Sequence, residues 1–140
     1  MRPPQRVLLF FCLATLLILP QCAEKTSDDY VQEGIANSRD GNYQQAMDSF
    51  LMAIEIDKKN PEAYVGLGGI YNQQKMYPRA VEVFNMALGI DPTYVDAYYS
   101  LGYSYEMMGD REQAEIRYRK YRSLKKKLDD LIDRSERENP

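Results

Sequence analysis

Small and apolar side chains recur along this chain with a period of 34 residues. Such a spacing, kept in several columns, is typical of a repeat array in which small residues mark close contacts between helices. The pattern therefore predicts three units, which span residues 27–60, 61–94 and 95–128. The columns are Gly34, Gly68 and Gly102; Ala46, Ala80 and Ala114; Tyr30, Tyr64 and Tyr98; Phe50, Phe84 and Tyr118; and Ile56, Ile90 and Leu124.

Each unit divides near its centre into two predicted helices. The dividing positions are Gly41-Asn42, Lys75-Met76 and Gly109-Asp110. Residues of this kind between two apolar periodic segments indicate a tight turn. The sequence therefore predicts an all-α protein built from three helix-turn-helix units.

In each unit, one residue is suited to the start of the second helix. Asn42 and Asp110 are each followed three residues later by a glutamine, Gln45 and Gln113. We expect each side-chain oxygen to accept a backbone N–H while the glutamine bonds back to the cap. In the middle unit Pro78 fits the first helical turn, where its missing N–H has no partner to lose.

At these residues the chain resembles the tetratricopeptide repeat family, whose members are α-helical solenoids that bind other proteins. The resemblance covers 27–128 and implies such a solenoid here. Because small residues mark close contacts, we expect Gly68 and Ala80 to face each other. The middle unit matches the family pattern at Tyr64, Leu67, Gly68, Tyr71, Ala80, Phe84, Ala87 and Pro92.

The outer units depart from the family pattern at a few places. In the first unit Glu33 and Asn37 replace the usual leucine and tyrosine, and Lys58 replaces the closing proline. In the third unit Tyr121 replaces an alanine and Lys126 the proline. Terminal repeats commonly deviate because one of their faces meets water.

The resemblance also implies where a partner would bind. In the family, the first helix of each repeat lines a concave groove, at places just after the repeated tyrosine and about one turn further on. Tyrosine among these residues would supply contact area with few rotatable bonds. The alternative is that these side chains pack within the stack. The implied groove residues are Val31, Ile35, Ser38, Val65, Gly69, Asn72, Tyr99, Tyr103 and Glu106.

A second mode known in the family does not fit this sequence. Chaperone-binding members hold a terminal carboxylate with lysines, asparagines and an arginine. The corresponding places here are Val31, Ile35, Gly66, Asp96 and Ser100. An apolar or aromatic partner segment is therefore the better expectation.

The third unit indicates that the array ends there. Places that are mostly apolar in the first two units become Glu115, Arg119 and Arg122. The second helix of this unit is predicted to run from about 111 to about 135. Apolar residues continue along one side of it, and this apolar stripe leaves two interpretations open. The extension, including residues 129–140, folds over the exposed end of the stack, or it forms a short coiled-coil dimer seam. The stripe consists of Leu124, Leu128, Leu131 and Ile132.

The N-terminus has the layout of an export signal. Arg2 and Arg6 precede the apolar run Val7–Leu19, which is too short for a comfortable membrane span. The run ends in LPQC, which resembles a bacterial lipobox, so we expect a signal at 1–22, acylation at Cys22 and a tether at 23–27. An uncleaved inner-membrane anchor and a soluble secreted form remain alternatives. The expected location is the cell envelope, on the periplasmic side or at the outer membrane.

Composition limits the chemistry that the exported part can perform. Residues 23–140 contain no histidine, cysteine or tryptophan. The commonest general base, the thiolate nucleophile and the softer metal ligands are therefore missing. We expect no enzyme activity, no cofactor and no metal site.

Charge is divided unevenly between the two ends. Residues 27–110 carry 13 acidic and 5 basic side chains, whereas residues 111–140 carry 10 basic and 7 acidic ones. The segment 117–127 holds seven basic residues and no acidic one. This segment is interpreted as a solvated cap, with anionic lipid as the alternative; nucleic acid is not expected as a partner.

Together these features predict a non-enzymatic adaptor of the bacterial cell envelope, which binds a membrane-proximal protein partner in its concave groove. Two alternatives are kept. One is a pilotin-like assembly factor for a pilus or secretion complex. The other is a peripheral protein that binds anionic lipid or glycan through its basic C-terminal helix. The oligomeric state is left open.

Overall fold

The computed structural model describes residues 24–138, and this part of the chain folds into six α-helices. Consecutive helices pair into three hairpins, and the first helix of each hairpin also packs on the first helix of the next. The all-α solenoid with an extended last helix is thereby confirmed. The helices are α1 (Ser27–Arg39), α2 (Tyr43–Ile56), α3 (Pro61–Gln73), α4 (Tyr77–Ile90), α5 (Val95–Met107) and α6 (Arg111–Glu138).

The turn inside each hairpin contains one residue in the left-handed region. Gly41 and Gly109 have φ of 79° and 83°, and Lys75 takes the same place with φ of 60°. Glycine adopts this conformation without steric cost, which explains its presence in two of the three turns.

Of the two expected capping boxes, one does not form and the other forms only in part. The backbone N–H of Asn42 donates to the carbonyl of Asn37 at 2.9 Å, so no glutamine can bond to it, and the Asn42 side chain caps nothing. The N–H of Asp110 is likewise used by a backbone carbonyl, although the Asp110 carboxylate accepts from the N–H of Gln113 at 3.0 Å. The capping-box prediction is therefore wrong at Asn42 and half right at Asp110. Pro78 lies in the first turn of α4 as expected.

An aromatic ring from the second helix of each hairpin packs against a glycine of the first helix. A Cβ at Gly34 would lie 2.7 Å from the Phe50 ring, and a Cβ at Gly68 would lie 2.6 Å from the Phe84 ring. The atoms nearest to Gly68 thus belong to the Phe84 ring, and the expected contact between Gly68 and Ala80 stays a prediction. Ala80 is fully buried.

Phe50 also joins the first hairpin to the second. A side chain at Gly66 would overlap the same Phe50 ring that covers Gly34. The third hairpin repeats the intra-hairpin contact, since a Cβ at Gly102 would lie 2.7 Å from the Tyr118 ring. Ala46 and Ala114 are buried in the same layer.

A buried polar group fixes the start of α3 to the start of α1. Asn60 accepts from the N–H groups of Glu62 and Ala63, and its amide donates to the Ser27 hydroxyl at 3.0 Å. The Ser27 hydroxyl in turn donates to the carbonyl of Ala53 at 2.9 Å. These bonds satisfy polar atoms that burial would otherwise leave unpaired.

The last helix extends well beyond its partner. At 1.5 Å per residue, the 28 residues of α6 give a length of about 42 Å, against about 20 Å for the 13 residues of α5. From Lys125 to Glu138 every residue is exposed, and α6 packs on α5 alone among the described helices. The expectation that the extension folds over the end of the stack is wrong, because α6 is one unbroken helix that packs on no other described helix besides α5.

The predicted export signal and Cys22 lie outside the described residues. Between residues 24 and 138, the structure contains no helix with the length and apolar character that a bilayer crossing requires.

Neighbouring glycines give a direct test of the ring contact. We expect Gly68→Ala to lower the free energy of unfolding by about 1 to 3 kcal/mol, because the added methyl group overpacks the Phe84 ring. A Cβ at Gly69 meets nothing within 4 Å, so Gly69→Ala should raise stability by up to about 1 kcal/mol through helix propensity. Urea denaturation of both variants measures the difference. Equal effects of the two substitutions would contradict the packing described here.

Candidate functional site

An open recess of about 360 Å³ lies between the first helices of the first two hairpins, α1 and α3. It exists because Gly69 of α3 carries no side chain, while Gly66 beside it seats the Phe50 ring that forms part of the wall. At Gly69 an added Cβ would meet nothing within 4 Å. The recess is lined by Ile35, Ser38, Arg39, Phe50, Gly66, Gly69 and Gln73.

The recess combines apolar walls with polar residues. Ile35 is half-buried against the core, and Phe50 is 2% exposed. Arg39 and Gln73 are exposed, and neither of the salt bridges found within residues 24–138 involves Arg39. Apolar walls can take an apolar side chain, while the polar groups can bond to the backbone that carries it.

The structure brings together three of the nine expected groove residues in this recess: Ile35, Ser38 and Gly69. Val65 is half-buried and packs against the core. Val31 is fully buried within the core, so the expectation that it lines an open groove is wrong. Both α2 and the first helix of the next hairpin, α3, pack on α1.

Asn72 belongs to a polar bridge between the second and third hairpins. Its Oδ1 lies 2.8 Å from the hydroxyl oxygen of Ser104, and its amide donates to the Ser100 carbonyl at 3.4 Å. Ser104 is fully buried and was not singled out from the sequence. The sequence feature that could have identified Ser104 is its place in the repeat, since this polar residue stands where the preceding repeat has Ile70.

The other three expected residues, Tyr99, Tyr103 and Glu106, lie in the third hairpin and do not line the recess. Tyr99 is 53% exposed, and its ring centroid lies 5.6 Å from that of Tyr118 and 5.3 Å from that of Tyr121. The Tyr103 and Tyr77 rings meet edge to face, with their centroids 6.4 Å apart. We call Tyr99, Tyr118 and Tyr121 the tyrosine face.

Glu106 is held at the border of the tyrosine face. Its carboxylate accepts a hydrogen bond from the Tyr118 hydroxyl at 2.7 Å. Burial raises the pKa of Tyr118 above its usual value, and the bond to Glu106 raises it further. A second cavity of about 400 Å³ adjoins these residues and is lined by Glu106, Gly109, Arg111, Ala114, Glu115 and Tyr118.

Both surfaces carry groups suited to binding. Among residues 24–138 no cluster of three or more carboxylates is arranged to hold a metal ion. What the recess presents to a ligand is a concave surface with apolar walls and hydrogen-bonding side chains.

Comparison with protein families finds the same repeat in two overlapping parts of the chain. A model described as a TPR repeat matches residues 68–109, and a model described as a tetratricopeptide repeat matches residues 96–124. No curated protein matches the sequence significantly.

Solved structures with this fold include proteins of several kinds. The crystal structure of MamA is 28% identical with a TM-score of 0.70, and the match covers 75% of this chain and 61% of MamA, so this chain spans about three-fifths of that protein. The Sgt2 TPR domain from Aspergillus fumigatus is 27% identical, with a TM-score of 0.68 and coverage of 71% and 66%. The first TPR of Spaghetti (RPAP3), bound to the HSP90 peptide SRMEEVD, is 21% identical with a TM-score of 0.69 and coverage of 71% and 79%, which shows a shared fold.

The 34-residue columns, the three stacked hairpins and the matches to repeat models and repeat structures agree with one another. The chain belongs to the tetratricopeptide repeat family.

Proposed function

We propose that this protein is a non-enzymatic adaptor of the bacterial cell envelope, which binds an extended segment of a partner protein at the recess between α1 and α3. The observation that carries the proposal is the opening beside Gly69, where the first helices of two hairpins leave apolar walls accessible. A TPR domain of the same fold, from RPAP3, holds a peptide.

The recess suits an apolar anchor side chain of the partner. Burying a leucine-sized side chain contributes about 1.5 to 3 kcal/mol, which is enough to make one anchor dominate the affinity of a short segment. Ser38 and Gln73 can bond to the segment's backbone on either side of the anchor. The absence of carboxylate-clamp residues at Val31 and Ile35 agrees with an apolar anchor.

The charge of the array adds a preference for the rest of the segment. Residues 27–110 have 13 acidic against 5 basic side chains. A net charge of this sign attracts basic partners and repels acidic ones, which affects association rate more than final affinity. We therefore propose a partner segment that combines an apolar anchor with basic neighbours.

Filling the recess tests this function. Peptides selected from a random displayed library against the wild-type protein should lose at least about tenfold in affinity for Gly69→Leu, since the new side chain occupies the anchor's place. Gly89→Leu is the matched control, because Gly89 is also a helical glycine whose Cβ would meet nothing within 4 Å, but it lies in α4 and does not line the recess.

Fluorescence anisotropy with labelled peptides gives both dissociation constants. Circular dichroism establishes that both variants keep their helices. If the selected peptides bind Gly69→Leu as tightly as the wild type, or if no peptide is enriched, the recess is not the binding site.

The proposed location rests on the N-terminal sequence. The apolar run Val7–Leu19 and the LPQC sequence favour export and acylation of Cys22. Because α1 begins at Ser27, five residue steps separate it from Cys22 and span at most about 18 Å. A lipid on Cys22 would hold the recess near the bilayer, so we propose a membrane-embedded or membrane-proximal partner.

Metabolic labelling tests the lipid anchor. Labelled palmitate should enter the wild-type protein, whereas Cys22→Ser should abolish labelling and release the protein from the membrane fraction. Cys12→Ser is the matched control and should keep both, because Cys12 lies inside the apolar run. Membrane association that survives Cys22→Ser would favour an uncleaved anchor instead.

The alternative of lipid or glycan binding through segment 117–127 finds less support. Arg117 lies 5.9 Å from the centroid of the Tyr105 ring, and Lys120 lies at the same distance from the Tyr98 ring. Arg122 pairs with Glu115 at 2.7 Å. Three of the seven basic side chains thus interact within the protein. Nothing among residues 24–138 favours the pilotin-like role over a general adaptor.

A further inference from the structure

We propose that two copies of this chain form a closed dimer, in which the projecting half of each α6, residues 125–138, packs antiparallel on the tyrosine face of the other copy. This inference does not depend on the recess between α1 and α3, because the dimer uses the opposite end of the array.

The tyrosine face occupies positions that the repeat normally covers with another helix. One repeat earlier, the places of Tyr118 and Tyr121 are held by Phe84 and Ala87, and both are fully buried. The same is true of Phe50 and Ala53 two repeats earlier, which are at most 2% exposed. In those repeats the first helix of the next hairpin packs on this side, as α3 packs on α2 and α5 on α4. The tyrosine face is therefore a helix-binding surface by construction.

The first end of the array is built differently. Asp29, Gln32 and Glu33 hold the places that are Ala63, Gly66 and Leu67 one repeat later. Asp29 and Gln32 are exposed, and Glu33 pairs with Lys25 at 2.7 Å. The N-terminal end of the array is thus polar, whereas its C-terminal end carries the three aromatic rings of the tyrosine face. Head-to-tail stacking of copies would bury the polar end and is disfavoured.

The projecting half of α6 supplies a matching surface. Leu128, Leu131 and Ile132 are 48%, 58% and 45% exposed. Together with Tyr118 and Tyr121 they recur at spacings of three, four and seven residues, which places all five on one face of a single helix. The tyrosine face and the projecting stripe are thus continuous, and a surface that is continuous in this way can pair with a second copy of itself about a two-fold axis.

Length and direction also agree. The 14 residues from 125 to 138 make about 21 Å of helix, close to the about 20 Å of α5 that borders the face. A first helix in the stack runs antiparallel to the second helix before it, and an antiparallel copy of α6 has the same direction. With the axis near Leu124 and Lys125, Leu128 of one copy lies opposite Tyr121 of the other.

Charge favours the antiparallel arrangement over the parallel one. Residues 111–121 carry four basic and two acidic side chains, a net of +2, and residues 128–138 carry five acidic and two basic ones, a net of −3. An antiparallel pair sets these opposite signs against each other, whereas a parallel pair sets like against like. Lys125 to Lys127 of both copies meet near the axis, where their long stems can turn the ammonium groups to water.

Cysteine pairing tests the arrangement in the full chain, purified in a mild detergent after Cys12→Ser and Cys22→Ser have removed the native thiols. Oxidation of an equimolar mixture of Tyr121→Cys and Leu128→Cys chains should give a disulfide-linked heterodimer. Leu131→Cys alone should not link to itself, because its two copies lie about 20 Å apart along the helices, whereas a disulfide needs Cα atoms within about 7 Å.

A mass measurement by light scattering in the same detergent completes the test. The chain without cysteine substitutions in α6 should be dimeric. Leu128→Asp combined with Leu131→Asp should make it monomeric with unchanged helical circular dichroism, since both side chains are exposed in the single chain. Ser123→Asp, on the far side of α6, should leave the dimer intact. A monomeric parent chain, or a disulfide formed by Leu131→Cys with itself, would overturn the proposal.

Discussion

The close approach of one aromatic ring to the glycines of the first helices is the contact on which the rest of the array depends. Phe50 packs against Gly34 of its own hairpin and Gly66 of the next, and Phe84 packs against Gly68. Only glycine lets a ring come this near to a helix axis, because any Cβ would overlap it. Each ring sets the separation of the two helices in its hairpin, and the Phe50 ring also sets the position of the second hairpin on the first.

The two surfaces described above follow from this constraint. Gly66 seats the Phe50 ring, and the next glycine on that side of α3, Gly69, leaves the recess open. At the last hairpin the equivalent ring belongs to Tyr118, which no described helix of a following hairpin covers. A phenol rather than a phenyl ring suits this place, because its hydroxyl can bond to Glu106 at the border with water.

The sequence predicted the architecture because the columns report contacts that are repeated three times. It predicted individual contacts less well, since a column shows that a place is buried but not what covers it. Gly68 was paired with Ala80 although the Phe84 ring lies nearest to it, and Val31 was placed in a groove although it is fully buried in the core.

Other errors have a similar origin. The glutamine half of the capping box failed at Asn42 and at Asp110 because the backbone of each turn had already used the N–H group, which side-chain patterns do not show. Beyond Lys125, α6 continues as an unbroken helix, and no described helix besides α5 packs on it. The sequence did not decide this, because an apolar stripe is equally compatible with a helix that folds over the stack and with a helix that dimerises. Ile35, Ser38 and Gly69 line one recess, as the predicted groove requires of them, and their role in binding a partner stays a prediction.

The most direct measurement of the central contact is a double-mutant cycle between Phe50→Leu and Gly66→Ala, with the free energy of unfolding measured in urea for all four proteins. If the ring fixes the position of the next hairpin, Gly66→Ala should destabilise the wild type but have a much smaller effect in the Phe50→Leu background, where the flexible leucine side chain can move away. The account predicts a coupling energy of at least about 1 kcal/mol. Additivity of the two substitutions within about 0.5 kcal/mol would contradict it.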